Sequence, residues 1–428
     1  MKYNVVIIAF YLSLTTICIS QTLDECQRMA REHYPEMRQY DLVRQTRDYN
    51  ISALRRVYLP QVNVSAQATW QNAVPEFPET MTAMLAATGM QWEGLRKDQC
   101  RVGVDVQQLI WDGGATRAAI AVQDAETREN ESRADVNLYG VEQRVNDLYF
   151  GLLLLNGQLA QLEQTKVMIE ANFVKMQSYV RNGAAMQSDA DAVEAQLLTI
   201  QQQRKQMKAT RASYANMLSL FTGTTINVDS LQRPIDNAPT AVQVEESRPE
   251  LQLLDATMAK LAAKEQQIKA STMPAFAAFV QGFYGYPGYD YFTAMQTGEM
   301  SLNAMVGIRM NWSLGAYYNK KARLGSISAA KAMAEVNRDV FLFNNNMQAT
   351  RQSDNIATLR SMLADDERIL TLRTNVRHAA EARLNNGVID ATDLLTKITD
   401  EYAAAMTRNS REIELLKAIY ELKHTINK

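Results

Sequence analysis

The sequence predicts an α+β fold in which a unit of helix, strand, strand and helical hairpin occurs twice. Three observations lead to this prediction: motifs that recur at a constant spacing, stretches in which apolar and polar residues alternate, and long stretches with an apolar residue at every third or fourth position. Alternation is typical of strands with one apolar face, and the three-four spacing is typical of packed helices.

Recurring motifs indicate an internal duplication. "HYPEM" corresponds to "SRPEL" and "YLPQVNVSA" to "TMPAFAAFV", with prolines 214 residues apart in both cases. Later motifs, from "RVGVDV" and "MVGIRM" onwards, are 204 residues apart. Constant offsets over several motifs are the signature of a repeat. The offset changes between Pro60 and Gly103, where we expect a longer loop at the tip of a strand hairpin.

Four alternating stretches predict strands at about 60–72, 101–111, 274–286 and 302–314. Strands of roughly 11–13 residues are long for a globular sheet and suit a tilted crossing of a bilayer. The alternative is a four-stranded soluble sheet with one face packed on helices. Six aromatic residues near the strand ends fit the aromatic girdles of a membrane interface: Tyr58, Trp70, Trp111, Tyr284, Tyr286 and Trp312.

A long helical seam follows each pair of strands. From Leu138 to Val180, apolar residues recur in steps of three and four, and only Lys166 interrupts them. Such a heptad seam predicts coiled-coil packing. A helix from about Gly113 to Val180 would be roughly 100 Å long at ~1.5 Å per residue, too long for a compact domain. The second repeat carries Asn344–Asn346 and Gln352 near the middle of its seam, which predicts a wetter environment.

Each seam is broken by a glycine and then by polar residues that favour helix starts. Gly183 is followed by Ser188 and Asp189, and Gly387 by Thr392 and Asp393. Glycine commonly ends helices, whereas Ser, Thr and Asp commonly cap the next one. The breaks, at about 182–189 and 386–393, are therefore predicted to be the tips of two helical hairpins.

The predicted organisation has four parts. Residues 1–20 read as a signal peptide, because the apolar run from Val5 to Ile19 is short for a membrane span and is followed by a small residue, Ser20. The first repeat covers residues 21–232, a linker covers 233–246, and the second repeat covers 247–428. No other run is apolar and long enough for a transmembrane helix, so membrane insertion would require a β-barrel.

Composition and motifs exclude several classes of function. The net charge is −2 with acidic and basic residues interspersed, which argues against a nucleic-acid partner. The three histidines are isolated, and no phosphate loop, nucleophile elbow or CxxC motif is present. We therefore expect no cofactor, no metal site and no enzyme. "WDGG" at 111–114 is interpreted as the bend between a strand and a helix.

Two cysteines remain after the predicted signal peptide, Cys26 and Cys100. Pairing is the usual fate of two exported cysteines. However, the predicted helix and strand between them would separate their Cα atoms by several tens of Å, and a disulfide needs them within ~7 Å. We expect no bond between these two residues.

In their order and duplication, these elements resemble the TolC-type outer-membrane efflux proteins (the outer membrane factor family). The carriers are "TLDECQRMAREHYPEMRQY", "YLPQVNVSAQATW", "VGVDVQQLIWDGG" and the tips "NGAAMQSDADAV" and "NNGVIDATDLL". The resemblance implies a homotrimer whose protomers contribute four strands each to a 12-stranded β-barrel in outer-membrane lipid. It also implies a long periplasmic α-helical barrel and location in a Gram-negative outer membrane.

The resemblance also implies roles for the hairpin tips. They would dock on a periplasmic adaptor (membrane fusion protein) that joins the duct to an inner-membrane pump. Asp393 matches an aspartate that narrows the family's entrance, although a helix cap is an equally good and compatible interpretation. Thr396 stands where a second such aspartate is expected, and Asp390 could supply that charge. Asp189 matches one partner of the family's Arg–Asp lock, but Ile389 replaces the arginine.

Two functions from different classes follow. The leading hypothesis is a passive exit duct of a tripartite efflux or type I secretion system, which conducts small molecules or polypeptides to the exterior. The alternative is an extended coiled-coil scaffold or adhesin of the cell envelope, with a small soluble sheet.

Overall fold

The computed structural model describes residues 21–89, 94–239, 245 and 247–428. The predicted signal peptide and part of the predicted linker lie outside the described residues. In chain order the helices are α1 (Leu23–His33), α2 (Met37–Arg55), α3 (Glu79–Ala87), α4 (Ala115–Arg181), α5 (Gln187–Thr222), α6 (Pro249–Ala270), α7 (Tyr291–Thr297), α8 (Ala316–Asn385) and α9 (Ala391–Ile426). The strands are β1 (Gln61–Trp70), β2 (Asp98–Trp111), β3 (Ala275–Tyr286) and β4 (Ser301–Asn311).

The chain forms two compact units, and each unit draws on both sequence repeats. The helical unit consists of residues up to Arg38, Ala134–Pro249 and Val340–Lys428. The strand unit consists of Gln39–Arg133 and Glu250–Asp339. The duplication is thus a duplication of segments within two shared units, because neither repeat forms a compact unit of its own.

One antiparallel sheet, in the order β1-β2-β3-β4, dominates the strand unit. Its two hairpins use equivalent registers, since Gln61 faces Gln107 and Ala275 faces Asn311. These pairs correspond to each other under the 214- and 204-residue offsets of the repeats. Short helices that the sequence did not predict, α3 and α7, lie in the connections of the two hairpins.

The "WDGG" segment is the bend that the sequence predicted between strand and helix. β2 ends at Trp111 and α4 begins at Ala115. The Asp112 carboxylate accepts the Gly114 N–H at 2.9 Å and the Thr116 N–H at 2.6 Å, which caps the start of α4. Both glycines have positive φ, and a Cβ on the first would lie 2.3 Å from Met273 Cβ. Only glycine fits this turn.

The α4 seam forms the core of the helical unit, as the heptad spacing predicts. Leu138, Val145, Leu152, Leu162 and Ile169 are completely buried. The last four of these residues pack in clusters with residues of α1, α5, α8 and α9. Since burial of one Leu or Ile side chain contributes about 1.5–3 kcal/mol, this seam is a major source of stability.

Polar contacts replace part of the seam in the second repeat. Asn345 of α8 is buried, accepts a hydrogen bond from Arg248 Nη1 at 3.2 Å and donates to the Thr425 carbonyl at 2.8 Å. Of the asparagines noted in the sequence, Asn345 thus joins α8 to the end of α9 through hydrogen bonds, whereas Asn344 and Asn346 are exposed.

Both described cysteines are free thiols. Cys26 is fully buried in the cluster that joins α1 to α4, and this burial raises the pKa of its thiol to about 11. The thiol is therefore protonated and shielded at neutral pH.

None of the described helices combines the length and the hydropathy that a membrane span requires.

Candidate functional site

Both hairpin tips begin with the same helix-ending turn. After α4, the N–H groups of Gly183 and Ala184 donate to the carbonyls of Val180 and Tyr179, at 3.0 and 2.8 Å. The residues around Gly387 repeat this pattern after α8. The φ angles of the two glycines are 71° and 69°, in the left-handed region that favours glycine. Both glycines that the sequence singled out therefore end a helix.

The helices after the tips begin earlier than the sequence suggested. The N-cap positions are Met186 before α5 and Asp390 before α9, both with extended backbone. Ser188 and Asp189 therefore lie in the first turn of α5, and Thr392–Asp393 lies in the first turn of α9. The expectation that these residues are the N-caps was wrong by two or three positions. The backbone changes from extended to helical earlier, directly after Met186 and Asp390.

In both tips an aspartate carboxylate accepts a backbone N–H three residues away. The aspartate reaches back to the N-cap residue in the first tip, and it is itself the N-cap residue in the second. In the first tip the Asp189 carboxylate accepts the Met186 N–H at 3.0 Å. In the second, the Asp390 carboxylate accepts the Asp393 N–H at 2.7 Å. The Asp393 side chain is exposed and has no hydrogen bond or ion pair with the residues that the structure describes. Its carboxylate is therefore available for another role.

A cleft of about 610 Å³ lies between the two tips. Asp189, Asp390 and Asp393 all line it, and none of its lining residues is basic. The structure thus brings together the three aspartates that the sequence singled out. An acidic cleft without basic residues attracts cations. The tips pack against each other through the buried residues Met176, Ala190 and Ala391, and Met176 and Ala391 also line the cleft.

Exposed residues surround the cleft. Ser188, Thr392 and Thr396 are exposed on the first turns of α5 and α9. Met186 and Val388 also expose most of their apolar side chains, 74% and 62%. Apolar side chains at the end of a hairpin, next to acidic ones, form a surface to which another protein can bind.

Ile389 does not take part in an ionic lock. Its side chain is partly buried against the core cluster that includes Ile398. Instead, an ion pair that sequence reasoning missed joins α8 to α9: Arg377 Nε donates to the Glu401 carboxylate, and both side chains are nearly buried. Thr374 Oγ1 donates to the same carboxylate at 2.7 Å.

Arg377 also donates to Glu381 Oε1 at 2.6 Å. Burial alone would lower the pKa of the Arg377 guanidinium, but hydrogen bonds and charge from Glu401 and Glu381 outweigh it and raise that pKa. The Arg377 guanidinium therefore remains charged at every physiological pH, and its contact with Glu401 joins α8 to α9 near the second tip.

One face of the four-stranded sheet is continuously apolar. Across the strands, Val62 faces Val106, Val106 faces Val280, and Val280 faces Val306. The face is exposed: the fraction is 73% for Val64, for example. An exposed apolar face of this size needs a lipid or protein partner.

The opposite face is mostly polar, as the alternation predicts. One cross-strand row runs through Asn63, Asp105 and Gln281. The exceptions include Met305, which faces Gln281 in this row, and Phe279 and Phe283, which face Gly307 and Gly103 of the neighbouring strands. The glycines leave room for the rings, since a Cβ on Gly307 would lie 2.9 Å from Phe279 Cε1.

Five of the six predicted girdle aromatics are exposed, at the two ends of the strands. Tyr58, Trp111 and Trp312 lie at the end where β1 starts and β2 and β4 stop. Trp70 and Tyr284 lie toward the other end, where they face Asp98 and Leu302. The arrangement matches two bands of aromatic residues at the edges of an apolar surface.

Tyr286 is the exception, and its assignment to a membrane interface was wrong. Only 3% of this residue is exposed, because it packs with Leu95 and Ala294. Its Oη accepts the Arg96 N–H at 2.9 Å, and the Arg96 guanidinium lies 5.6 Å from its ring centroid. The residue fixes the hairpin connections to the sheet.

In the part of the chain that the structure describes, no group of three His, Cys, Asp or Glu side chains could bind a metal ion.

Comparison with known proteins gives a family match that lies within the first sequence repeat. Residues 27–224 match the family model "Outer membrane efflux protein". A comparison with curated protein sequences gives no match.

Solved structures share the fold over almost the whole chain. The outer membrane protein VceC from Vibrio cholerae matches with a TM-score of 0.66 and 13% identity, over 94% of this chain and 95% of that chain. CusC, whose structures concern transmembrane channel formation, matches with a TM-score of 0.68 and 13% identity, over 94% and 91% of the chains. The Campylobacter jejuni CmeC outer membrane channel gives 0.65 and 13%, over 94% and 85%.

The matched family and these neighbours are channel proteins and not enzymes, in agreement with the expectation from the sequence. Residues 27–224 thus match the outer membrane efflux protein family in sequence, and nearly the whole chain has the fold of the outer-membrane protein VceC and of CusC.

Proposed function

We propose that the protein is the outer-membrane exit duct of a tripartite efflux or type I secretion system. Three copies form one duct, which passively conducts small molecules or polypeptides from a periplasmic adaptor and inner-membrane pump to the exterior. The N-terminal signal peptide directs export of the chain, and the duct lies in the outer membrane of a Gram-negative bacterium.

The exposed apolar face of the sheet is the observation that carries this proposal. In the described chain, β1 and β4 each have one edge that pairs with no other strand. An open sheet with unpaired edges is unstable in lipid, where every backbone group must find a partner within the protein. Closure with two more copies satisfies both edges in a barrel of 12 strands. The apolar face then contacts lipid, and the polar face lines the lumen.

The long helices support the same assembly. On α8, Val340, Phe343 and Met347 expose more than half of their side chains. Their spacing of three and four residues is that of a coiled-coil seam. Within one protomer this seam has no partner among the described elements, and a second copy of the chain supplies one.

The hairpin tips provide the entrance and the docking surface. The exposed apolar groups of Met186 and Val388 and the polar residues beside them suit contact with an adaptor. The tip residues that we assign to this contact are Gly183, Ser188, Asp189, Gly387, Thr392 and Asp393. The acidic cleft gives the constriction, with Asp393 as its exposed charge and Asp390 as both cap and second charge.

Single-channel conductance in a planar bilayer tests the proposal. We expect stable pores from the purified trimer, and a change of conductance and of block by divalent cations in Asp393→Ala. Thr396→Ala is the matched control, because it removes an exposed polar group of the same helix without removing charge. Asp390→Ala should also loosen the start of α9 by ~1 kcal/mol, since it removes the cap.

The outcomes separate the alternatives. Pores that Asp393→Ala leaves unchanged would retain the duct and remove Asp393 from the entrance. A folded trimer that forms no pores would favour the coiled-coil scaffold.

A further inference from the structure

We propose that Asp105 and Arg309 form a ring of alternating charges in the lumen, which orients solutes that carry both an anionic and a cationic group. The inference rests on the proposed function, because it requires the polar face of the sheet to line a trimeric duct. It concerns residues of β2 and β4 and is independent of the hairpin tips.

The two residues occupy equivalent positions in the two repeats. Each stands two residues after the glycine of its motif, Asp105 in "VGVDV" and Arg309 in "VGIRM", and they are 204 residues apart. The duplication has thus preserved the position and inverted the charge. Since Gln61 faces Gln107 and Ala275 faces Asn311, the hairpins that carry them also pair in the same register.

Equivalent registers place the two charges at the same height in a closed barrel. β2 pairs with β3 so that Asp105 faces Gln281. If β4 pairs with β1 of a neighbouring copy in the equivalent register, Arg309 faces Gln67 of that copy. The barrel then consists of six equivalent hairpins, and strands with Asp105 alternate with strands with Arg309. Three negative and three positive charges therefore alternate around one ring.

Both side chains belong to the polar face, and neither is neutralised within the protomer. Asp105 lies between Asn63 and Gln281 in its cross-strand row. The Arg309 guanidinium lies 4.7 Å from the ring centroid of Phe279, a cation–π contact that holds it against the polar face. Neither residue forms an ion pair with any residue that the structure describes. A passing solute can therefore interact with both charges.

Arg101 adds a third charge, outside this ring. It lies four residues from Asp105 on β2, about 13 Å at ~3.3 Å per residue, toward the loop end of the strand. Its Nη2 donates to Gln67 Oε1 at 2.8 Å. The equivalent residue in the second repeat is Met305, so this charge does not alternate with an opposite one.

Alternating fixed charges around the lumen act on dipolar solutes. Within low-dielectric walls such charges create a strong local field. A zwitterion lowers its energy when its carboxylate is near Arg309 and its ammonium group near Asp105. A solute with a single charge meets both attraction and repulsion in the ring.

Ion selectivity of single channels tests the ring. In a KCl gradient, Asp105→Asn should lower the potassium-to-chloride permeability ratio and Arg309→Gln should raise it, each by at least about twofold, because each removes three lumen charges of one sign. The double variant should return toward the wild-type ratio. Arg309→Lys keeps the charge and Gln281→Asn changes an uncharged neighbour, so both should behave like wild type.

A zwitterionic probe tests the proposed solute class. Ampicillin carries one ammonium and one carboxylate group, and its residence in the lumen is measured from interruptions of the current. We expect residence times to fall in both single variants and to remain short in the double variant, although the double variant restores selectivity. If the net charge of the lumen alone controlled the solute, the double variant would recover both the ion selectivity and the ampicillin residence time.

Failure of this inference is distinct from failure of the proposed function. Absence of pores in the wild type would remove the duct itself. If Asp105→Asn and Arg309→Gln form pores with the same ion selectivity as wild type, the proposed duct stands and the proposed charge ring is wrong. Equal ampicillin residence times in wild type and single variants would overturn the assignment to zwitterions.

Discussion

The two sequence repeats agree in their strands and differ at their helical tips. Both strand hairpins have the same register, with Gln61 opposite Gln107 and Ala275 opposite Asn311. At the tips, the same glycine turn is followed by different caps: Asp189 reaches back in the first, and Asp390 reaches forward in the second. Register is strongly fixed because a slip of one residue would turn every side chain to the wrong face. A cap needs only one acceptor, so its position can change.

The long helices of the repeats also differ in what covers them. The apolar seam of α4 is buried within the protomer, whereas much of the apolar surface of α8 is exposed. The same helical pattern therefore serves two purposes. One seam holds the protomer together, and we assign the other to contacts between copies.

The largest expected effect comes from a charge in the exposed seam of α8. Phe343→Glu should abolish the trimer, because a buried unpaired carboxylate costs several kcal/mol at each of three interfaces. Phe343→Leu keeps an apolar side chain and should still assemble. Light scattering coupled to size-exclusion chromatography in detergent measures the mass. A stable Phe343→Glu trimer would show that this seam is not an interface.

A cavity in the buried seam should weaken the protomer itself. Leu152→Ala should lower the free energy of unfolding by about 2–5 kcal/mol, because Leu152 is completely buried. Leu152→Met keeps the volume and should cost less than about 1.5 kcal/mol. Denaturant titration, followed by the circular dichroism of the helices, measures the free energy of unfolding of both variants. Equal losses in the two variants would contradict the tight packing of this seam.

The smallest effect is a pH dependence in the strand unit. Hydrogen bonds from Lys269 at 2.7 Å and Lys331 at 2.6 Å lower the pKa of Glu265 to about 2. A depressed pKa in the folded state means that these contacts stabilise fully above the unfolded pKa, near 4.5, and are lost as the pH falls toward 2.

Glu265→Gln removes this contribution and provides the comparison. The melting temperature of wild type should exceed that of the variant by a constant amount above pH 5, and the difference should shrink between pH 4.5 and 2. A difference that grows on acidification would reverse the assigned sign. The effect should be small because the Glu265 side chain is still partly exposed to solvent.

The sequence predicts the strands and helices whose apolar residues recur at regular intervals. It does not predict side chains whose position depends on contact with another segment of the chain. Alternation indicates the two faces of the sheet, and heptad spacing indicates the buried seam of α4. The burial of Tyr286 depends on Leu95, in the connection before β2, and on Ala294, in the short helix α7, and neither segment has a periodic pattern that predicts this contact. The Arg377–Glu401 pair depends on how α8 and α9 align beyond the tip, and no local pattern contains that alignment. Arginine and glutamate at similar distances from the tip glycine are the only signal.

Because the edges of the sheet are open, assembly of the trimer depends on the concentration of protomers. Among the described residues of one protomer, the outer edges of β1 and β4 lack partner strands, so closing the proposed barrel needs hydrogen bonds from other copies. Formation of the closed sheet would then depend on the third power of protomer concentration, as for any obligate trimer. A cell that exports too few copies would accumulate open sheets, which are prone to pair with the wrong strands. The level of expression would thus decide how much of the exported protein becomes duct.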